Sequence, residues 1–254
     1  MNEQFGGKTV FGASVGILML ETRFPRVFGD IGNAGTWPFP VQYQVVPGAT
    51  PDVVVRQDPG LLLDRFIAAG RDLVQMGCDG ITTNCGFLAL IQDQVKAALE
   101  VPVATSSLMQ IPMVQALLPP GKKVGVITIS KETLTPAHLR AAGAPEDTII
   151  VGTDGGRIFT TGILDDHASL DFDACRLDIL DAAADLVRGH EGIGAIVLEC
   201  TNMVPYASDV RKLTGLPVFS IYSFVTWFQA GLVPRKFPLE LDDPRLNLTT
   251  WQSR

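Results

Sequence analysis

Short uninterrupted apolar runs, each ending in small polar residues, recur along this chain. They alternate with stretches whose apolar positions return every three to four residues. The first kind reads as strands buried on both faces, the second as amphipathic helices. Thr9 to Leu20 predicts a first strand, and Val41 to Pro47 alternates as a second. Pro51 to Asp58 reads as a connection. Leu61 to Met76 places Leu62, Phe66, Ala69, Leu73 and Met76 on one helical face, and Gly77 stops that helix. A strand running into Cys85 follows, then a helix from about Phe87 to Leu99. A short strand over Val101 to Thr105 leads to a helix from Ile111 to Leu118, which Pro119-Pro120-Gly121 breaks. Lys123 to Thr128 then opens a second series. It contains an amphipathic helix from Asp171 to Arg188 and a second strand into a cysteine over Ala195 to Asn202. A short strand over Leu216 to Ser220 and a helix from Phe224 to Gly231 complete it.

The two series keep step. Cys85 and Cys200 lie 115 residues apart, and so do Pro102 and Pro217. Val15-Gly16-Ile17 matches Val124-Gly125-Val126 at an offset of 109. Landmarks kept in order at a nearly constant offset point to an internal duplication. The expected fold is therefore α/β: two similar flavodoxin-like lobes with parallel sheets, related by a pseudo-twofold axis, with the site in the cleft between them. Residues 1–118 plus about 219–254 are assigned to the first lobe and 119–218 to the second.

Length and composition narrow the class. The chain has 254 residues, 46% of them hydrophobic, with a formal net charge of −7. That balance argues against a general nucleic-acid surface. No stretch approaches the ~20 apolar residues of a membrane span, and the run from Val10 to Leu20 lacks the pattern of a signal peptide. A cytoplasmic protein with no membrane partner is expected. The four cysteines, Cys78, Cys85, Cys175 and Cys200, show neither a disulfide framework nor zinc-ligand spacing. Cys78 and Cys175 read as structural.

Cys85 and Cys200 carry the candidate chemistry. Each follows a strand, where ligands bind in open α/β sheets, and each stands where backbone N–H groups at a helix start favour a thiolate. Most free cysteines are core residues. The matched settings, Thr83-Asn84 before one and Thr201-Asn202 after the other, shift the balance to a pair of acid–base groups. A carbanion beside a carboxylate needs hydrogen-bond donors. Thr83, Asn84, Gly86, Ser106, Ser107, Thr128, Ser130, Thr201 and Asn202 are the candidates. Serine, threonine and asparagine also cap helices at such turns, so each taken singly serves either role. The loop from Gly29 to Pro40 ends in no Gly-Lys-Ser/Thr and is not a phosphate loop. It is open to three readings: a lid with Trp37 and Phe39 excluding water, a loop packed on its own aromatics, or a subunit contact. Arg23 and Arg26 read as a solvated loop before an anion contact, and His138, His167 and His190 as surface or capping residues.

From about Val10 to Gly231 the chain resembles the aspartate/glutamate/hydantoin racemase superfamily, in which two strand-end cysteines face each other from duplicated lobes. Cys85 and Cys200 fall on its two catalytic positions. The resemblance implies a racemase or epimerase acting on a carbon next to a carboxylate, with no metal or organic cofactor, on a small carboxylate-bearing substrate. It also implies a homodimer, and last helices that return to the first lobe. Rival readings are a maleate-type cis–trans isomerase or arylmalonate-type decarboxylase on the same scaffold, and a binding protein without turnover. Two departures stand out. Asn84-Cys85-Gly86-Phe87 replaces the usual Cys-Asn-Thr, and Glu199 replaces the glycine before the second cysteine. A carboxylate there raises a neighbouring thiol's pKa unless strand alternation points it away.

Overall fold

The computed structural model describes residues 3–239. Its strands are β1 (Val15–Leu20), β2 (Val41–Val46), β3 (Gly80–Thr83), β4 (Val103–Ala104), β5 (Lys123–Thr128), β6 (Ile149–Gly152), β7 (Ile193–Leu198) and β8 (Val218–Phe219). They pair in parallel as two sheets of order β2-β1-β3-β4 and β6-β5-β7-β8. The two orders are the same, so β1 corresponds to β5, and so on through β4 and β8. The sequence landmarks fall on equivalent places. Gly16 and Gly125 sit in β1 and β5, Cys85 and Cys200 just past β3 and β7, and Pro102 and Pro217 just before β4 and β8. The protein is an α/β molecule of two similar lobes.

All six residues of β1 are buried, as expected of a strand covered on both faces. Its alternate side chains feed two cores. Leu18 and Leu20 join the large core that runs through both lobes. Val15, Ile17 and Met19 join a smaller one with Trp37, Ile221, Phe224 and Val225. The helices are α1 (Leu63–Met76), α2 (Gln92–Leu99), α3 (Ile111–Leu117), α4 (Pro136–Ala141), α5 (Phe159–Leu164), α6 (Phe172–Gly189), α7 (Ala207–Thr214) and α8 (Ile221–Leu232). Helix α8 thus packs on the sheet of the first lobe although it follows the last strand of the second. The stretch 240–254, assigned above to the first lobe, lies outside the described residues.

Several boundaries differ from expectation for local reasons. The first strand starts at Val15 rather than Thr9. Gly12 takes a left-handed conformation, and the segment before β1 instead bonds to the end of α1, Val10 N–H donating to Met76 O. The connection at Pro51 to Asp58 holds a π-helical turn over Asp52–Arg56. The helices after both cysteines begin as 3-10 turns, Gly86–Ile91 and Thr201–Tyr206. Helix α8 starts three residues before Phe224 because Ser220 and Ser223 form a capping box. Gly77 ends α1 in the left-handed conformation, as its position predicts. Among the described residues no helix is long and apolar enough to cross a membrane.

Candidate active site

In each sheet the chain leaves the central strand in opposite directions, to β2 and β3 from β1 and to β6 and β7 from β5. The carboxyl ends at such a switch point form a crevice. The two crevices face each other, and hydrogen bonds cross between the lobes there. Ser107 Oγ donates to Leu198 O at 2.6 Å, and Thr201 Oγ1 to Asn84 O at 2.6 Å. Between them lies a narrow recess. Leu20, Asn84, Cys85, Gly86 and Phe87 line it from the first lobe, and Ile129, Glu199, Cys200 and Asn202 from the second. Thr22, Phe24, Pro51, Val55, Ile163 and Leu164 close the sides.

The structure brings Asn84, Cys85, Gly86, Cys200 and Asn202 together on this wall. The other expected binding residues do not line it, and the hydroxyls of all but Ser130 are engaged elsewhere. Thr83 Oγ1 donates to Thr105 O, Ser106 Oγ accepts from Leu108 N–H, and Thr201 Oγ1 spans the lobes as above. Ser107 is spent on the same lobe junction. Ser130 is buried, and its N–H faces Thr128 Oγ1 at 3.4 Å. Thr128 reaches the site through another residue. Its Oγ1 donates to Glu199 Oε2 at 2.8 Å, and Ile129 N–H approaches the same oxygen at 3.4 Å. Asn84 Oδ1 accepts from Leu20 N–H at 2.7 Å, which fixes its oxygen on the strand and leaves Nδ2 as the outward donor.

Glu199 was legible only as an odd neighbour of Cys200, and here it is part of the wall. Strand alternation does not remove it, because β7 ends at Leu198 and the chain turns immediately afterwards. The residue is fully buried, and among the described residues no donor reaches Oε1. Burial raises its carboxyl to about 7, against the pull of the Thr128 and Ile129 donors. Opposite it stands Gly86, where a Cβ would collide with Oε1 and with the Glu199 carbonyl. Glycine is therefore what allows the lobes to approach.

Both thiols resist ionisation in the empty recess. Burial first, and the Glu199 carboxylate second, push Cys85 up to about 12, although the N–H groups of Phe87 and Leu88 oppose this. The same two causes raise Cys200 well above the ordinary thiol value, with Asn202 N–H opposing. Cys85 is the partly exposed member of the pair, whereas Cys200 is buried. Cys200 Sγ lies 3.6 Å from Asn202 Oδ1, and Asn202 Nδ2 donates to Asp30 Oδ2 at 2.5 Å. Asp30 in turn pairs with Arg26 at 2.7 Å. Neither Asp30 nor a mostly buried Arg26 was expected here. A charged pair in a loop gives no sign in sequence that the loop folds back onto the second lobe. Arg23, by contrast, is exposed and bridges the lobes to Asp166 at 3.1 Å.

Trp37 does not face the recess. It packs on Phe39 and Tyr222 beneath α8, so this part of the loop serves the core. His138 is buried rather than on the surface, and caps α4 with Thr135. His167 and His190 are exposed. Cys78 and Cys175 are buried within the lobes. Among the described residues no three His, Cys, Asp or Glu side chains gather as a metal-binding set.

The architecture is that of the aspartate/glutamate/hydantoin racemase superfamily. An arylmalonate decarboxylase variant superposes with a TM-score of 0.57 at 14% identity, covering 89% of this chain and 97% of that one. Allantoin racemase from Pseudomonas fluorescens gives 0.53 at 15%, covering 90% and 99%. No family model matches the sequence. Curated relatives are nearer. Dimethylsulfoniopropionate lyase 7 of Emiliania huxleyi is 31% identical over 249 residues, 94% of this chain and 70% of that protein. Dimethylsulfoniopropionate lyase 3 of the same organism is also 31% identical, but this chain spans only 62% of it. The lyase of Durusdinium sp. clade D is 27% identical over 94% of this chain and 79% of its own. The chain belongs to the dimethylsulfoniopropionate lyase family. Its relatives are named as lyases of dimethylsulfoniopropionate, which overturns the expectation of a racemase or epimerase and with it the isomerase class; the substrate in those names is neither a maleate nor an arylmalonate. Two strand-end thiols mark the scaffold and do not fix the reaction run on it.

Proposed function

We propose that the chain is a carbon–sulfur lyase that converts dimethylsulfoniopropionate to dimethyl sulfide and acrylate. The observation that carries this reading is the 31% identity, over 94% of the chain, to an enzyme named for that substrate. The recess supports it, because its groups suit removal of a proton beside a carboxylate. Cys85 is the base. It is the more exposed of the two thiols that line the recess, and it has two backbone N–H groups to steady a negative sulfur. The outward Nδ2 of Asn84 and the hydroxyl of Thr22, whose oxygen already accepts from Arg26, hold the substrate carboxylate.

The reaction then balances without a further reactant. The Cys85 thiolate takes the proton from the carbon next to the carboxylate. The released electron pair forms the carbon–carbon double bond, and the electrons of the carbon–sulfur bond leave with sulfur as neutral dimethyl sulfide. The proton passes from Cys85 to solvent after acrylate departs. The thiol that burial holds protonated in the empty site is easier to ionise once a sulfonium is bound. That positive charge offsets the neighbouring carboxylate; among the described residues no Lys, Arg or His side chain lines the recess, and Arg26, outside it, pulls Cys85 down least of the opposing groups.

The test is headspace chromatography of dimethyl sulfide, with acrylate followed by NMR. Wild-type protein is expected to release the two in equal amounts. Cys85→Ala and Cys85→Ser are expected to lower kcat by about 10²–10⁴-fold, the usual worth of a positioned base. Absence of both products from folded wild-type protein would refute the reading.

A further inference from the structure

We propose that Asp30 is a positioning residue that acts through Asn202 to hold the proton on Cys200, so that of the two thiols lining the recess only Cys85 is free to serve as base. The hold on the thiol stands on the geometry alone; its consequence for the reaction rests on the lyase reading above.

The contacts run in one direction. Asp30 is buried and lies behind the recess lining. Its Oδ1 accepts from Arg26 Nη1 and from Gly32 N–H, both at 2.7 Å, which fixes the carboxylate in its loop. Its Oδ2 accepts from Asn202 Nδ2 at 2.5 Å. A carboxylate only accepts, so the amide nitrogen of Asn202 has to face Asp30 and the amide oxygen has to face away from it. There it meets Cys200, whose Sγ lies 3.6 Å from Oδ1. An amide oxygen accepts from S–H but repels a thiolate. To ionise, Cys200 needs the amide turned over. That sets the amide oxygen against the Asp30 carboxylate and loses a charge-assisted hydrogen bond. The titratable groups around Cys200 act in the same sense. Glu199 before it in the chain, Cys85 from the other lobe and Asp30 itself all disfavour a negative sulfur, with the Asn202 N–H opposing.

Cys85 has a different neighbour in the duplicated turn. Cys85-Gly86-Phe87 corresponds to Cys200-Thr201-Asn202, so Phe87 stands where the amide would be. The N–H groups of Phe87 and Leu88 approach the Cys85 sulfur, and both favour its thiolate. The two lobes share a fold, and this difference makes their thiols unequal. The carbon next to the substrate carboxylate carries two hydrogens, and thiols from opposite lobes reach different ones. One free base therefore removes one particular hydrogen of the two.

The test has two arms. In the first, alkylation of Cys200 by iodoacetamide is followed by peptide mass mapping in a Cys85→Ser background, where the first thiol does not compete. Asp30→Asn is expected to raise the Cys200 rate at least about tenfold at a given pH, the effect of lowering its pKa by about one unit. Asn202→Leu keeps the size of the side chain and removes the amide, and on that background Asp30→Asn should change the rate little. An equal rise with and without the amide would mean that Asp30 acts by charge alone or that the loop has loosened. No rise on either background would mean that Asp30 does not govern Cys200. Both results overturn the proposal. Asp30→Asn leaves Arg26 mostly buried without its counter-charge; if it does not fold, Arg26→Met/Asp30→Asn, which removes both charges, takes its place.

The second arm follows the hydrogen. Dimethylsulfoniopropionate with one deuterium next to the carboxylate is supplied as each of its two enantiomers, and deuterium in the acrylate is read by NMR. Wild-type protein is expected to retain the deuterium of one enantiomer and lose that of the other. Asp30→Asn, with Cys200 able to ionise, is expected to give mixed acrylate from both, whereas a merely loosened site would turn over more slowly with the same selection. Mixed acrylate from wild-type protein, or strict selection by Asp30→Asn, overturns the proposal and leaves the lyase reading in place. If wild-type protein releases no dimethyl sulfide, the lyase reading fails, and the alkylation arm still decides the role of Asp30.

Discussion

Glu199 shows what a buried carboxyl without a counter-charge does to stability. In the unfolded chain its carboxyl titrates near the ordinary 4.5, and in the folded protein near 7. Between those values the folded state holds more proton, so the contribution of this group to stability falls as pH rises through the window and is constant above it. The loss amounts to at most roughly 3 kcal/mol at 1.36 kcal/mol for each tenfold change. Glu199→Gln should therefore be more stable than wild type at pH 8 by up to that amount, and the difference should shrink toward pH 4.5. Urea unfolding at the two pH values checks the sign. A gain at low pH instead would mean that the carboxylate is stabilised in the fold.

The turns after β3 and β7 explain why the recess stays open at all. Each runs as a 3-10 turn before its helix, so the residues following each cysteine pass close to the opposite lobe. Gly86 is where that passage is tightest. Gly86→Ala has to push apart Gly86 and both the side chain and carbonyl of Glu199. We expect a loss of about 1–3 kcal/mol in thermal or urea unfolding, the usual cost of overpacking. We expect a fall in dimethyl sulfide release as well, because the two cysteines move with the backbone. An alanine variant with unchanged stability and activity would mean that the lobes are free to shift there.

At the scale of the whole molecule, function depends on holding two half-sites in register. Thr201 to Asn84 is a buried hydrogen bond from one lobe to the backbone beside the cysteine of the other. Ser107 makes the reciprocal tie beside Glu199. Thr201→Val keeps the shape and removes the first tie, leaving the Asn84 carbonyl without it. The expected cost is about 1–3 kcal/mol, with a larger proportional loss in kcat than in affinity for 4-methylpentanoate, the uncharged carbon isostere of dimethylsulfoniopropionate. Comparing kcat with that affinity distinguishes loss of register from loss of the recess, because a site that merely loosened would lose both alike.

The apolar periodicity determined the α/β class and put both cysteines at strand ends, because buried parallel strands and amphipathic helices leave local patterns; the duplication came from the spacing of landmarks. Glycines at turns and prolines before strands marked equivalent points in both halves. Asn84, Gly86 and Asn202 were also legible, being adjacent in sequence to a cysteine already singled out. Only the tertiary structure decided the rest of the wall. Thr83, Ser106 and Thr201 are ordinary polar residues whose hydroxyls turn to backbone oxygens, and nothing local announces that choice. Phe24, Arg26 and Asp30 come to the site along an irregular loop without a period. Trp37, the loudest residue of that loop, went to the core under α8. The reaction class was also out of reach. A carbanion beside a carboxylate has several fates, and which follows depends on what the cleft holds against the reacting carbon. Glu199 stood in plain sight next to Cys200. That its free oxygen lies against Gly86 of the other lobe is a property of where β7 stops and where that lobe begins.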